Sequence, residues 1–211
     1  MNDPTSVSTG RDTIASREET LHLPDDLLTV SAALFRRQGY ARTTTRELAN
    51  AVGIRKASLY HYIRTKEDLL YALCVQSLDV ITDDVRRATR DADKPERLDA
   101  MIDAHVRSML SNQDMHAVML MELRALSGPR LADVIGRRDR YEAIVKDILA
   151  ASQRAGLVRP EFSPGHLTLG LLNLLNWTIF WYRADGEMAP EQLASMLRTI
   201  FFQGVRTAHR E

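Results

Sequence analysis

The chain has 211 residues, 45% of them hydrophobic, which is enough for one ordinary domain plus a small one and a sizeable core. Its 28 basic and 28 acidic residues cancel, so any affinity for nucleic acid must come from a local concentration of charge. A single cysteine, Cys74, excludes an intramolecular disulfide framework and fits a reducing, cytoplasmic compartment.

Residues 1–20 are polar, rich in Ser, Thr, Asp and Arg, and lack an apolar h-region. They are expected to form a disordered, solvated arm and not a signal peptide, with Arg11 and Arg17 as the groups that could brush phosphates. Apolar positions then recur at three and four throughout and no strand-like alternation persists, so the fold class is all-α with about nine helices. The first helix is expected over residues 25–38, behind Pro24 and ended by Gly39.

The next stretch, residues 43–67, carries the most information. Thr44 or Thr45 can cap a short helix with Glu47 completing its first turn; Leu48, Ala49 and Val52 give it an apolar face, and Gly53 permits the left-handed turn that ends it. Ile54 plugs back toward the core, and a second helix is expected from about residue 56 to 62, with Leu59 and Ile63 inward. That leaves Arg55, Lys56, Ser58, Tyr60, His61 and Tyr62 outside, a cationic, hydroxylic and aromatic face of the kind that bonds phosphates and touches base edges. Two helices joined by a short glycine turn form a helix-turn-helix, whose second helix enters the major groove. Lys56, Ser58, Tyr60 and His61 are the candidates for base contacts, with Thr43, Thr44, Arg46, Tyr62 and Lys66 for phosphate positioning. Arg36, Arg37, Arg42, Arg46, Arg55, Lys56, Arg64 and Lys66 face only Glu47 before Glu67 and Asp68, so the basic charge is concentrated here.

Behind Thr65 a long helix is expected to run to about Arg90 and to link two domains, with Cys74 as a small apolar residue inside it. Further helices are expected from residues 93–95 to 111, from 113 to 126, and from the Ser127-Gly128-Pro129 break to a C′ glycine at Gly156. The eighth and ninth, residues 164–183 and 190–207, are apolar nearly all round and need two partners each, which suggests a homodimer built from helices 8 and 9. The apolar run from 166 to 181 is interrupted by polar residues and is shorter than the ~20 residues of a membrane span.

Residues of about 25–70 resemble the N-terminal domain of the TetR family of bacterial transcriptional regulators. The resemblance rests on the order Ala32-Ala33-Leu34-Phe35, Gly39-Tyr40, Thr44, Leu48-Ala49, Gly53-Ile54, Leu59-Tyr60 and Lys66-Glu67. Arg55, Ala57, Tyr62 and Ile63 depart from the family's usual residues and bear chiefly on operator sequence. The resemblance implies three parts: the arm, a three-helix DNA-binding domain over 21–68, and a larger helical effector-binding and dimerisation domain over 69–211. It also implies a homodimer whose two recognition helices enter major grooves roughly 34 Å apart on double-stranded, near-palindromic operator DNA.

Met101, Met109, Met115, Met119 and Met121, with Trp177, Phe180, Trp181 and Tyr182, can either line a cavity for a bulky apolar molecule or simply pack as core. His105, Glu122, Asn173 and Asn176 lie among them and need polar partners, from a ligand headgroup, from one another or across a dimer. Residues 176–194 resemble the C-terminal segment of TetR-type regulators of fatty-acid, aromatic or steroid catabolism in actinobacteria, several of which respond to acyl-CoA thioesters. That resemblance implies a small hydrophobic effector, an acyl-CoA thioester being one candidate, framed by Trp177 and Trp181, with Arg183 and Arg124 or Arg130 meeting an anion; His105, Met109, Met119, Glu122 and Asn173 complete the candidate effector-binding set. The six histidines lack metal-ligand spacing, and no catalytic motif is present, so neither a metal, a cofactor nor an enzyme activity is expected. The expected function is a ligand-released repressor; the alternative is a regulator of the same fold controlled by a protein partner.

Overall fold

In a computed structural model, residues 25–93 and 95–205 are described. The N-terminal arm, His22 and His209 lie outside the described residues. Among those described there are ten α-helical segments and no β-strand. The DNA-binding part comprises α1 (Asp25–Gln38), α2 (Thr45–Val52) and α3 (Lys56–Leu59), followed by the long α4 (Lys66–Arg90). The rest comprises α5 (Arg97–Ser111), α6 (Gln113–Glu122), a 3-10 turn (Leu123–Ala125), α7 (Gly128–Arg154), α8 (Pro164–Asn176), α9 (Thr178–Trp181) and α10 (Pro190–Val205).

Local chemistry explains most of these ends. Gly39 (φ 86°) and Gly156 (φ 72°) take the left-handed backbone just beyond α1 and α7, where a side chain would be strained. At the start of α4, the Asp68 carboxylate accepts from the backbone N–H of Arg64 (2.7 Å) and Thr65 (2.8 Å), closing the first turn.

The structure differs from the sequence expectation in two helices. The second reader helix is α-helical only over Lys56–Leu59, and beyond it the coil tightens, with His61 N–H donating to Ser58 and Tyr62 N–H to Leu59. The expected helix over 164–183 is interrupted at Trp177 and ends at Trp181. Thr178 Oγ1 donates to the Leu175 carbonyl at 2.7 Å, the acceptor a continuing helix would offer to Ile179 N–H. The Ile179 carbonyl is in turn taken by side chains of α1 and α6, so nothing remains to carry the helix onward.

Two hydrophobic cores result. One packs Leu27, Phe35, Leu48, Leu59 and Ile63 against the first half of α4 and against Met115, Val118 and Met119 of α6. The other lies among α5, α7, α8 and α10, with Met101, Met109, Tyr141, Leu171 and Phe201. Their separation along α4 is what makes this helix the link between reader and body. The outer faces of α8 to α10 bury nothing in a single chain: Trp177 is 64% exposed, and Leu169, Phe180, Trp181 and Ile200 are each about half exposed. No helix among the described residues is long and apolar enough to cross a membrane.

Candidate nucleic-acid interface

The reader is set by its caps and its inward residues. Thr44 is the N-cap: Glu47 N–H donates to its hydroxyl at 3.2 Å, and the Glu47 carboxylate accepts from Thr44 N–H at 2.8 Å. That backbone hydrogen bond, with the one from the Thr44 hydroxyl, holds the Glu47 carboxyl below its ordinary value. Gly53 (φ 78°) turns the chain, and Ile54 N–H returns to the Ala49 carbonyl at 3.0 Å. With Leu48, Ala49, Leu59 and Ile63 buried, the opposite face is fixed outward.

On that face Thr44, Arg46, Arg55, Lys56, Tyr60, His61 and Tyr62 are exposed, and Ser58 is half-buried. Tyr60 lies between the two helices' outer surfaces. Its hydroxyl is 3.5 Å from Thr45 Oγ1, and Lys56 Nζ stands 5.9 Å from its ring centroid. Ammonium, guanidinium, phenol and imidazole groups are thus presented together, able to bond phosphate oxygens and base edges.

Two of the ten expected DNA-contacting residues point elsewhere. Thr43 is buried, its hydroxyl donating to the Gly39 carbonyl at 2.8 Å and accepting from Gln38 Nε2 at 3.2 Å. Lys66 turns inward across the α1–α2 turn and donates to the carbonyls of Tyr40 (2.7 Å), Thr43 (2.8 Å) and Ala41 (3.3 Å). Its three ammonium protons have protein acceptors, and it also sits 4.2 Å from the Tyr40 ring centroid. Burial holds this ammonium below the ordinary lysine value, against the upward pull of Glu122. Both residues shape the reader from within.

The reader is tied to the body by contacts between residues too far apart in the chain to be paired by local pattern. Asp68 is buried and meets Arg130 of α7, whose guanidinium also lies 3.9 Å from Glu67. Burial pushes the Asp68 carboxyl up, but the Thr65 and Arg64 N–H groups and Arg130 outweigh it and hold the carboxyl below its ordinary value. Arg36 of α1 pairs with Asp114 of α6 at 2.7 Å, and Glu122 accepts from Tyr40 N–H at 3.1 Å. Only Asp68, as the third residue of a capping box, carried a local signal.

The eight residues expected around an effector are dispersed. His105 is buried between Tyr141 and Asn176, with Nδ1 2.5 Å from the Tyr141 hydroxyl and Nε2 3.2 Å from Asn176 Oδ1. Burial, with His116 nearby, pushes His105 down to about 3 despite the hydrogen bond its Nε2–H donates to Asn176 Oδ1, so the imidazole is neutral; burial likewise pushes the Tyr141 hydroxyl up. Met109 packs beside it in the second core, whereas Met119 belongs to the reader-side core. Glu122 is engaged at the α1–α2 turn. Asn173, Trp177 and Trp181 face outward, and exposed Arg183 pairs with Asp185 at 3.0 Å. The structure therefore gathers His105 and Met109 in one place and leaves the other six elsewhere; for those in 164–183, helical periodicity could not say which face would be covered.

A capped helix-turn-helix with a cationic and aromatic outer face, mounted on a helical body, defines a DNA-binding protein. Residues 27–73 match the bacterial regulatory proteins of the tetR family, and residues 91–205 match the tetracyclin repressor-like C-terminal domain. The chain belongs to the TetR family, whose members are DNA-binding transcription factors and not enzymes. The HTH-type transcriptional repressor KstR2 of Mycobacterium tuberculosis is 26% identical over 183 residues, covering 85% of this chain and 91% of that protein. The TetR family regulator PfmR from Thermus thermophilus superposes with a TM-score of 0.78 at 31% identity, covering 85% of this chain and 98% of PfmR. AibR, solved with isovaleryl coenzyme A and operator DNA, superposes with a TM-score of 0.74 at 28% identity, covering 83% of this chain and 96% of AibR.

Proposed function

We propose that this protein is a cytoplasmic, homodimeric repressor that grips a near-palindromic operator with the outer faces of α2 and α3 and releases it on binding a small hydrophobic effector. The observation that carries the reading is the outward cluster of Arg46, Arg55, Lys56, Tyr60, His61 and Tyr62 on a turn whose caps are complete. Lys56, Ser58, Tyr60 and His61 contact bases in this reading, while Thr44, Arg46, Arg55 and Tyr62 position phosphates. Thr43 and Lys66 act by holding the α1–α2 turn. The half-exposed Leu169, Phe180, Trp181 and Ile200 and the more exposed Trp177 supply the apolar face that two copies would cover together.

Support for a small-molecule effector comes from AibR, whose complex contains isovaleryl coenzyme A and operator DNA, and from the repressor KstR2. An acyl-CoA thioester is the leading candidate, with His105 and Met109 at the centre of the body as residues that would line its site. Effector binding would favour a conformation with lower operator affinity, and operator would weaken the effector by the same factor. One observation favours the second reading, control by a protein partner: His105, Met109 and Met119 are closely packed, at 1%, 1% and 6% exposed, while Trp177 and Trp181 lie outside.

Native mass spectrometry of the purified chain, followed by anisotropy titration of a duplex selected from a random pool with and without isovaleryl coenzyme A, tests the reading. A dimer that binds the duplex and loses affinity with the thioester is expected. A dimer whose DNA affinity ignores every thioester, yet drops with a co-purified protein, would replace it by the second reading.

A further inference from the structure

The guanidinium of Arg36 reaches beyond its own domain. One nitrogen pairs with Asp114 at the start of α6 (2.7 Å), and the other donates to the main-chain carbonyl of Ile179 in α9 (3.0 Å), 143 positions along the chain. Gln113, next to Asp114, sends its side-chain amide to the same carbonyl (3.3 Å) and to that of Tyr182 (3.1 Å). The first helix of the DNA reader and the first turn of α6 thus meet on two carbonyls at the end of the α8–α9 break. That break carries Trp177, Phe180 and Trp181 on its outer side.

The ties between reader and body are not equal. The Asp68 carboxylate is only 3% exposed and is held by two backbone N–H groups and Arg130, so opening it would strand a buried charge. The Arg36–Asp114 pair is more open, its side chains 31% and 44% exposed, and the Ile179 and Tyr182 acceptors are neutral carbonyls, so parting these contacts strands no buried charge. Glu122 binds the far end of α6 to the Tyr40 N–H, so α6 travels with α1. The weak seam therefore runs between the α1–α6 pair and α9. A cleft of about 380 Å³, bordered by Leu28, Thr29 and Ala32 of α1 and by Gln113 and Asp114, opens next to these latch residues.

We propose that Arg36 and Gln113 form a latch that couples the position of α9, and with it the aromatic face around Trp177, to the DNA-reading domain. Asp68 and Arg130 serve as the fixed pivot. A change that shifts the two carbonyls, whether from a second subunit on that face or from an effector in the body, lets α1 swing about the pivot and alters the presentation of α3. Coupling of this kind is reciprocal, so DNA on the reader must also change the surroundings of α9. The idea rests on the operator-binding function and is independent of whether the aromatic face pairs two copies.

The chain provides its own probe, because its two tryptophans, Trp177 and Trp181, flank the latched carbonyl. Tryptophan emission and acrylamide quenching are followed while a duplex selected from a random pool is titrated into the wild type, Arg36→Gln and Gln113→Ala, with affinity read in parallel by anisotropy and subunit mass by sedimentation. The wild type is expected to show a DNA-dependent change in emission or quenching. Each variant should keep its circular dichroism and bind the duplex, with that change reduced by about twofold or more. Gln113→Ala, which removes no charge, keeps the test open if Arg36→Gln fails to fold. A wild type without a tryptophan response, or variants that keep it in full, would overturn the latch. So would loss of duplex binding in both variants, since Arg36 and Gln113 would then be required for binding itself and not for coupling. A monomer in sedimentation would refute the dimer without touching the latch.

Discussion

Lys66 separates what the sequence suggests from what the structure assigns. On the outer face of a helix-turn-helix it would neutralise a phosphate; in the structure it donates to three carbonyls and cannot do both. Replacing it with Met keeps an unbranched chain of similar length and removes the ammonium. Two short charge-assisted hydrogen bonds, at 2.7 and 2.8 Å, and a longer one at 3.3 Å are lost. At about 1.5 kcal/mol for each short bond, less what the partly solvated carbonyls recover from water, Lys66→Met should cost about 2.5 kcal/mol. For a chain of 211 residues that lowers the thermal midpoint by about 5–10 °C. The slope of log affinity against log salt for operator binding should stay at its wild-type value. Differential scanning calorimetry and anisotropy at several salt concentrations read the two quantities separately. An unchanged midpoint together with a slope shallower by about 0.9, the signature of one lost phosphate contact, would refute the inward assignment.

Other predictions follow from the same geometry. The Asp68 carboxyl is held below its ordinary value of 3.8 in the fold, so its contribution is complete above that pH and is lost as pH falls through the folded value. Urea titrations should therefore show Asp68→Asn clearly less stable than wild type at pH 6, with the gap narrowing below about pH 4; a gap that widened in acid would be contrary. His105 and His116 are pushed down by burial to about 3 and about 4 from 6.5, so the unfolded chain binds protons that the fold refuses. Stability should fall as pH drops below 6.5, by up to about 1.4 kcal/mol per pH unit for each histidine, and His105→Gln should flatten that slope. A slope unchanged by this substitution would remove His105 from the account. Ile200→Glu places a charge on a half-exposed position, so it should yield a folded monomer by light scattering; a dimer of full strength would move the subunit interface away from α10.

Much of the fold could be read from local signals because local chemistry decides it. Thr44 with Glu47, Gly53, Thr65 with Asp68, and the glycines beyond α1 and α7 are caps whose partners lie within a turn, and those boundaries follow from the sequence alone. The end of the helical run at Trp181 does not, since the Ile179 carbonyl that would extend it is taken by Arg36 and Gln113 from distant parts of the chain. The reader's outer face was legible because Leu48, Leu59 and Ile63 fix what points inward. Thr43 and Lys66 were misplaced because a hydroxyl or an ammonium beside a reader helix has the same appearance in sequence whether it meets DNA or the carbonyls of an adjoining turn. The region expected to hold an effector was the least legible. A polar residue on an apolar stripe signals only that a partner exists, and for His105 the partners are Tyr141 and Asn176.

The outer face of α2 and α3 is proposed as the reader of an operator. The most direct measurement is an anisotropy titration of a duplex selected from a random pool, comparing the wild type with Lys56→Ala and Tyr60→Ala, whose side chains are exposed and whose loss should leave the fold intact. Two chains per near-palindromic site are expected, with a loss of about fivefold or more in each variant, corresponding to about 1–3 kcal/mol, and native circular dichroism. Wild-type affinity in both variants would place the reading surface elsewhere on the molecule.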